Sequence, residues 1–459
     1  MSGYLFDGLY THNGWIMPAY VSLSDSGKLI SIATEPSPNF DYNRVRGYAI
    51  PGFVNAHSHA FQYAMAGLTE NRSIPGQRDN FWTWRQIMYD IALRITPDQM
   101  EHIACKLYAE MIRHGYTHVC EFHYLHHALD GSPYSNLAEM SERLISAAKR
   151  AGIGITLIPI FYHSGGFGTP ALPEQRRFIS NDTNAYLKLW HACESASNEY
   201  AQAKTAVGLH SLRAVPQEMI LECLQSTRHD LPVHIHISEQ KKEVEDSVAY
   251  FGQRPVEWLT DKIPIGPNWH LIHATHINDS EIQALTSLKA QVVLCPSTEA
   301  NLGDGIFPLK KYMKQNGNWC LGTDSHISLN VFEELRLLDY GQRLISHDRH
   351  SFSTGTQVDS AGVTLNKLFS AGRRSAGMDQ QTFYSKGQGF DALVMDANQT
   401  LFSLTSPENL LDTIIYSSDP SMYLGTIIHG KWCVHRHEHI NHSEIDENFQ
   451  KAVKSLNIR

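Results

Sequence analysis

Short apolar runs punctuate the middle of this chain, and stretches with helical periodicity separate most of them. The runs are Ala49-Ile50-Pro51-Gly52-Phe53-Val54-Asn55-Ala56, Thr117-His118-Val119-Cys120, residues 153–161, residues 205–210, Val233-His234-Ile235-His236-Ile237, His270-Leu271-Ile272-His273, Val292-Val293-Leu294-Cys295 and Trp319-Cys320-Leu321. They are near-continuous rather than alternating, as expected of strands covered on both faces. Between them, residues 98–114 are amphipathic, and residues 137–151 carry their charges on one side. Eight β-like runs alternating with helices predict an α/β fold, a parallel (β/α)8 TIM-like barrel over residues 51–378.

The two ends differ from the middle. Residues 15–23 and 29–32 flank the polar turn Asp25-Ser26-Gly27-Lys28, and residues 390–396 and 425–432 also have strand character. Residues 1–50 and 379–459 are therefore expected to fold together as a small β-sandwich domain.

Composition narrows the function. The chain has 459 residues, 42% apolar and 19% charged, with a net charge of −9. Without a basic stripe, nucleic acid is not an expected partner. No run of about 18 apolar residues is present, so no membrane span is expected. The first residues lack the basic and apolar regions of a signal peptide. Seven scattered cysteines, none in a C-x-x-C pair, are expected to be reduced thiols in a cytoplasmic protein.

The chemistry gathers where these strands end. In a strand, residues i and i+2 point the same way, so His57 and His59 can reach one ion from a single strand end. Strand five ends in His236, followed by Ser238 and Glu239. Strand six ends in His273, and strand eight in Thr323-Asp324. Barrel active sites sit at the C-terminal strand ends. Three imidazoles and a carboxylate suit one divalent metal, Zn²⁺ above others, with a position left for water, whose pKa such an ion lowers from roughly 15.7 towards about 7. His57, His59, His236 and Asp324 are the expected ligands, with Asp324 also able to act on the water's proton. Glu239 can shuttle protons, and His273 can stabilise developing charge or move a proton. The strand-four exit, Gly208-Leu209-His210-Ser211-Leu212-Arg213, lacks the Lys or acid that a two-metal bridge needs, which favours one ion. His234 shares the face of His236 but lies deeper, where a structural role is expected.

The strings from Pro51 to His59, His234 to Glu239, His273 and Thr323-Asp324 resemble the amidohydrolase superfamily in its one-metal deaminase branch. The resemblance spans nearly the whole chain. Within that branch, residues 59–67, Phe81-Trp82-Thr83-Trp84-Arg85, Glu121-Phe122-His123-Tyr124, residues 210–213 and residues 297–305 are similar to enzymes that hydrolyse the formimino C=N group of N-formimino-L-glutamate in histidine breakdown. The resemblance implies a small dicarboxylate substrate. Arg213 and Arg85 could each hold a carboxylate through paired N–H donors, and Gln62, Tyr124 and His210 could add hydrogen bonds. A loop arginine such as Arg85 can instead serve a subunit contact, so a homodimer is a further expectation. Two rivals are a deaminase acting on a purine or pterin ring, whose pocket calls for stacking and amide donors, and a non-catalytic metal-binding scaffold, which has no use for Glu239 and His273.

Overall fold

The computed structural model describes residues 2–70, 81–349, 351–352, 360–378 and 383–458. Eight parallel strands form the barrel: β1 (Phe53–Ser58), β2 (Tyr116–His123), β3 (Gly154–Phe161), β4 (Val207–Leu209), β5 (Val233–Ile237), β6 (Trp269–His273), β7 (Gln291–Leu294) and β8 (Asn318–Leu321). They hydrogen-bond in sequence order from β1 to β8, and a parallel bridge between Ser58 and Asp324 joins the last to the first. These strands are almost entirely buried, which is why their sequences run apolar without alternation.

Closure depends on residues around Gly322. A Cβ there would lie 2.6 Å from Cβ of His57, so only glycine lets β8 approach β1 this closely. The backbone N–H groups of Thr323 and Asp324 then donate to the His57 carbonyl at 3.1 and 3.0 Å. The buried Asn55 side chain completes the seam. Its amide donates to Thr323 Oγ1 at 2.7 Å and its oxygen accepts from Thr323 N at 3.0 Å.

Helices start and stop where local chemistry dictates. Pro97–Arg113 opens on a capping box in which Thr96 and Gln99 satisfy each other's backbone N–H. Glu139–Ala151 ends at Gly152, which takes the left-handed conformation at φ 86°.

The terminal segments join in one continuous, mostly antiparallel sheet of nine strands. Ala392–Asp396 pairs with Asp41–Pro51, from Ala392 opposite Pro51 to Asp396 opposite Gly47. This sheet gathers its own apolar cluster, including Phe6, Leu9, Val21, Phe390, Val394 and Ile427. Four runs that look continuous in sequence are divided. Residues 49–56 split at Gly52, with Ala49–Pro51 ending the Asp41–Pro51 strand of this sheet and Phe53 starting β1. Residues 15–23 break around a cis Met17–Pro18 bond into Gly14–Ile16 and Ala19–Leu23, because proline has no N–H for the ladder. Residues 425–432 turn at His429 and Gly430, both with positive φ, so this segment is a hairpin turn between Tyr423–Ile428 and Lys431–His435. Residues 205–210 yield β4 and a separate strand, Ala203–Thr205, that pairs with β3. The expected boundary after Met378 abuts residues outside the described ones.

Candidate active site

The C-terminal ends of β1, β5, β6 and β8 converge on a compact set of donor atoms. Nε2 of His57 lies 3.1 Å from Nε2 of His236 and 3.4 Å from Oδ1 of Asp324. Nε2 of His59 lies 3.2 Å from the same oxygen. All four residues are buried. Their outward-facing nitrogens are mostly held: Nδ1 of His59 donates to the Phe122 carbonyl at 2.8 Å, and Nδ1 of His236 to the His210 carbonyl at 3.1 Å. A carbonyl can only accept, so in the neutral ring each Nε2 carries a lone pair.

Those lone pairs test whether a metal fits. Nε2 of His59 faces a carboxylate oxygen, acceptor against acceptor, with no proton of its own to offer. A cation between them resolves that conflict. Tetrahedral Zn²⁺ with bonds of about 2.0–2.1 Å spaces its donors about 3.3–3.4 Å apart, close to the three separations seen. Burial also pushes the pKa of His57 down to about 3 and that of His236 well below its ordinary value, keeping both imidazoles neutral, as ligation requires. Burial alone would raise the Asp324 pKa, but the His57 and His59 imidazoles beside it outweigh that and hold the carboxyl well below the usual range. His57, His59, His236 and Asp324 could therefore hold one ion. His57, His236 and His273 form a second grouping with close donor atoms.

Beside this cluster stand the groups suited to proton transfer. Nε2 of His273 lies 3.8 Å from Glu239 and 3.8 Å from Asp324. Its Nδ1 lies 3.3 Å from Glu299. Burial would lower the His273 pKa, but Glu239, Glu299 and Asp324 raise it to about 10. Burial raises the Glu239 pKa, and its backbone N–H is anchored on Glu243 at 3.0 Å. Ser238, His273, Ala274, Asp324 and His326 all have positive φ. Such backbone is costly and tends to cluster where side chains must be aimed.

One pocket opens onto these groups. It is lined by His59, His236, Glu239, His273 and Asp324 together with Gln62, Arg85, Tyr124, His210 and Arg213. Every sequence-predicted site residue is thus in the pocket or, for His57, in the donor cluster behind it. The Gln62 amide donates to the Tyr124 hydroxyl at 3.2 Å. The Arg85 guanidinium sits 5.5 Å from the Tyr89 ring centre, a cation–π distance. His234 is buried deeper, with Nε2 3.0 Å from the Ser375 carbonyl.

The structure adds residues that the sequence reading missed. Glu121, at the β2 exit, accepts from Ser58 Oγ at 2.7 Å and from Ala60 N at 2.6 Å, pinning the segment that carries His59. Burial lifts its pKa to about 7. It follows the same strand-end rule as the metal candidates and was legible by it. His326 Nδ1 lies 2.9 Å from Thr323 Oγ1, and its Nε2 lies 3.2 Å from the His59 carbonyl. Gln175, which reaches the pocket wall from a distant loop, left no signal in the sequence.

The amidohydrolase family profile matches residues 48–369. This chain belongs to the amidohydrolase family. A formimidoylglutamate deiminase from Pseudomonas aeruginosa is 40% identical over 445 residues, covering 96% of this chain and 97% of the relative. A 5-methylthioadenosine/S-adenosylhomocysteine deaminase from Haloarcula marismortui is 24% identical over 77% of this chain and 76% of its own. The crystal structure of an amidohydrolase from Brucella melitensis shares 36% identity, with a TM-score of 0.92 and full coverage of both chains. An adenosine deaminase from Xanthomonas campestris, solved with bound zinc, has a TM-score of 0.82 at 19% identity, covering 100% of this chain and 99% of its own, a likeness of fold alone. Membership makes this amidohydrolase a hydrolytic enzyme, and the donor cluster lies where a barrel of this kind places its chemistry. Among the described residues, no helix is long and apolar enough to cross a membrane.

Proposed function

We propose that this amidohydrolase is a formimidoylglutamate deiminase, converting N-formimino-L-glutamate and water to N-formyl-L-glutamate and ammonia in histidine degradation. One observation carries the reading: Arg213 and Arg85 line the same pocket as Glu239, His273 and Asp324. A substrate with two carboxylates and one C=N group calls for two cations at one end and proton-transfer groups at the other. The 40% identical relative carries that name.

His57, His59, His236 and Asp324 would hold one ion, with three imidazoles and one carboxylate suited to Zn²⁺. When bound there, the ion supplies Lewis acidity, lowering the pKa of water and polarising the substrate. Asp324 is placed to take a proton from the attacking water. Glu239 carries a proton to the imino nitrogen, with its buried setting keeping the carboxyl basic enough to receive it first. The water oxygen bonds to the formimino carbon as one water proton, passed through Glu239, turns the imino nitrogen into an amine. The second proton, taken by Asp324, reaches that amine as the C–N bond breaks, and the nitrogen leaves as ammonia. The oxygen remains as the formyl oxygen. His273, held at Nδ1 by Glu299, stabilises charge on the reacting group. Arg213 and Arg85 hold the carboxylates, while Gln62, Tyr124 and His210 orient the chain between them.

The test is ammonia release by the purified, metal-loaded protein from N-formimino-L-glutamate, with 5-methylthioadenosine as the competing substrate. Release from the first and not the second supports the reading. The reverse transfers the assignment to a purine deaminase.

A further inference from the structure

Gln175 is fully buried at the end of the short turn Pro173–Gln175. Its Oε1 accepts from the Leu172 backbone N–H at 2.8 Å. A backbone N–H can only donate, so this bond fixes the amide: oxygen towards Leu172, NH₂ the other way. The other way lie two tyrosines. Nε2 is 2.7 Å from the Tyr162 hydroxyl and 3.1 Å from the Tyr89 hydroxyl. Each hydroxyl accepts one amide proton and keeps its own to give. Where one gives to the other, one O–H proton still remains for the pocket.

Both tyrosines line the pocket that contains Arg213 and Arg85. The Tyr162 ring centre lies 4.1 Å from that of His210, and His210 lies 5.2 Å from His236. Tyr162 therefore stands one ring removed from the donor cluster, and Tyr89 is tied to it through the Gln175 amide. Burial holds the Tyr162 pKa above its ordinary value, so its hydroxyl stays protonated.

We propose that Tyr89 and Tyr162, oriented by Gln175, form an O–H donor pair that binds the side-chain carboxylate of the substrate and so selects dicarboxylates. This rests on the formiminoglutamate reading above. A carboxylate is acceptor-only, and a hydroxyl whose lone pair is engaged by an amide proton is ready to donate to it. A substrate ending in an ammonium group would gain nothing from these O–H donors and would meet the charges of Arg85 and Arg213 in the same pocket. Gln175 is a positioning residue, since it acts through the tyrosines.

The experiment uses the metal-loaded enzyme and two substrates. One is N-formimino-L-glutamate. The other is N-formimino-L-2-aminobutyrate, which lacks only the side-chain carboxylate. The double variant Tyr89→Phe/Tyr162→Phe should raise KM for the first by about tenfold or more, the usual scale of a hydrogen bond to a charge, with kcat within about twofold. KM for the second should not move. Each single variant should lose less, because the remaining hydroxyl is freed to face the pocket. Gln175→Glu, close to isosteric but acceptor-only, should draw the tyrosine protons away and reproduce the KM loss with both hydroxyls present. An unchanged KM in the double variant, an equal loss on both substrates, or a kcat loss as large as the KM rise overturns the proposal. Calorimetric binding of N-formyl-L-glutamate separates this from the reaction itself. Binding that weakens about tenfold in the double variant, in an enzyme that releases no ammonia, upholds the donor pair and sinks the proposed reaction. No binding by the unmodified enzyme sinks both.

Discussion

Oδ1 of Asp324 lies 3.2 Å from Nε2 of His59, with the His59 ring held by the Phe122 carbonyl on its other side. The contact exists because β8 closes onto β1: the Ser58–Asp324 bridge brings the last strand exit beside the first. An imidazole lone pair facing a buried carboxylate is repulsive, and a cation between them removes the clash.

We predict one tightly bound divalent ion per chain, held by His57, His59, His236 and Asp324. Elemental analysis of the purified protein should give close to one equivalent, falling to near zero in His57→Ala. Because the ion binds the folded chain, its removal by a chelator should lower Tm by several degrees. Two equivalents, or full metal retention in His57→Ala, would overturn this ligand set.

Glu239→Gln should keep the metal and the fold while losing about 10²–10⁴-fold in kcat, the usual worth of a positioned proton-transfer group. The amide is nearly isosteric, and the local backbone is held independently by Glu243. A steady-state assay beside a metal determination checks this. A variant with near-normal kcat removes Glu239 from the chemistry.

Much of this arrangement was legible in the chain, for physical reasons. Burial on both faces forces barrel strands to be apolar throughout, so polar residues at their ends stand out: His57, His236, His273 and Asp324 were all found by that contrast. What the sequence hid is what depends on pairing. Pro18 and the His429-Gly430 turn divide strands that look continuous, because ladder partners rather than composition decide where a strand stops. Glu299 and Gln175 act by holding other side chains, and nothing in the neighbouring sequence announces the residue held.

Gly322→Ala tests the closure. The new Cβ would lie 2.6 Å from Cβ and 2.8 Å from N of His57, so β8 must move away from β1. Overpacking of this kind costs about 1–3 kcal/mol, and the displacement falls on a metal candidate. Tm should drop and metal content should fall with it. Gly266→Ala, whose Cβ would meet nothing nearer than 3.8 Å, is the control and should show neither change. Unaltered metal content in Gly322→Ala would mean that the seam tolerates repacking without moving His57.

Arg213→Met should separate recognition from folding. The side chain lies in the pocket near Glu239 and Glu243, and although burial works against its charge, those acids help to keep its pKa above the ordinary arginine value. A fully charged guanidinium in a partly desolvated pocket can pair with a carboxylate through two N–H donors, a contact worth roughly 1.5–3 kcal/mol. Methionine retains much of the apolar stem and removes the charge. The expected cost is about 10- to 100-fold in kcat/KM for N-formimino-L-glutamate. For an analogue lacking the carboxylate that Arg213 holds, the cost should shrink, since the deleted contact was never made. Equal losses on both substrates, with a lowered Tm, would show that Arg213 serves the packing of the pocket wall, and the dicarboxylate reading would lose its main support.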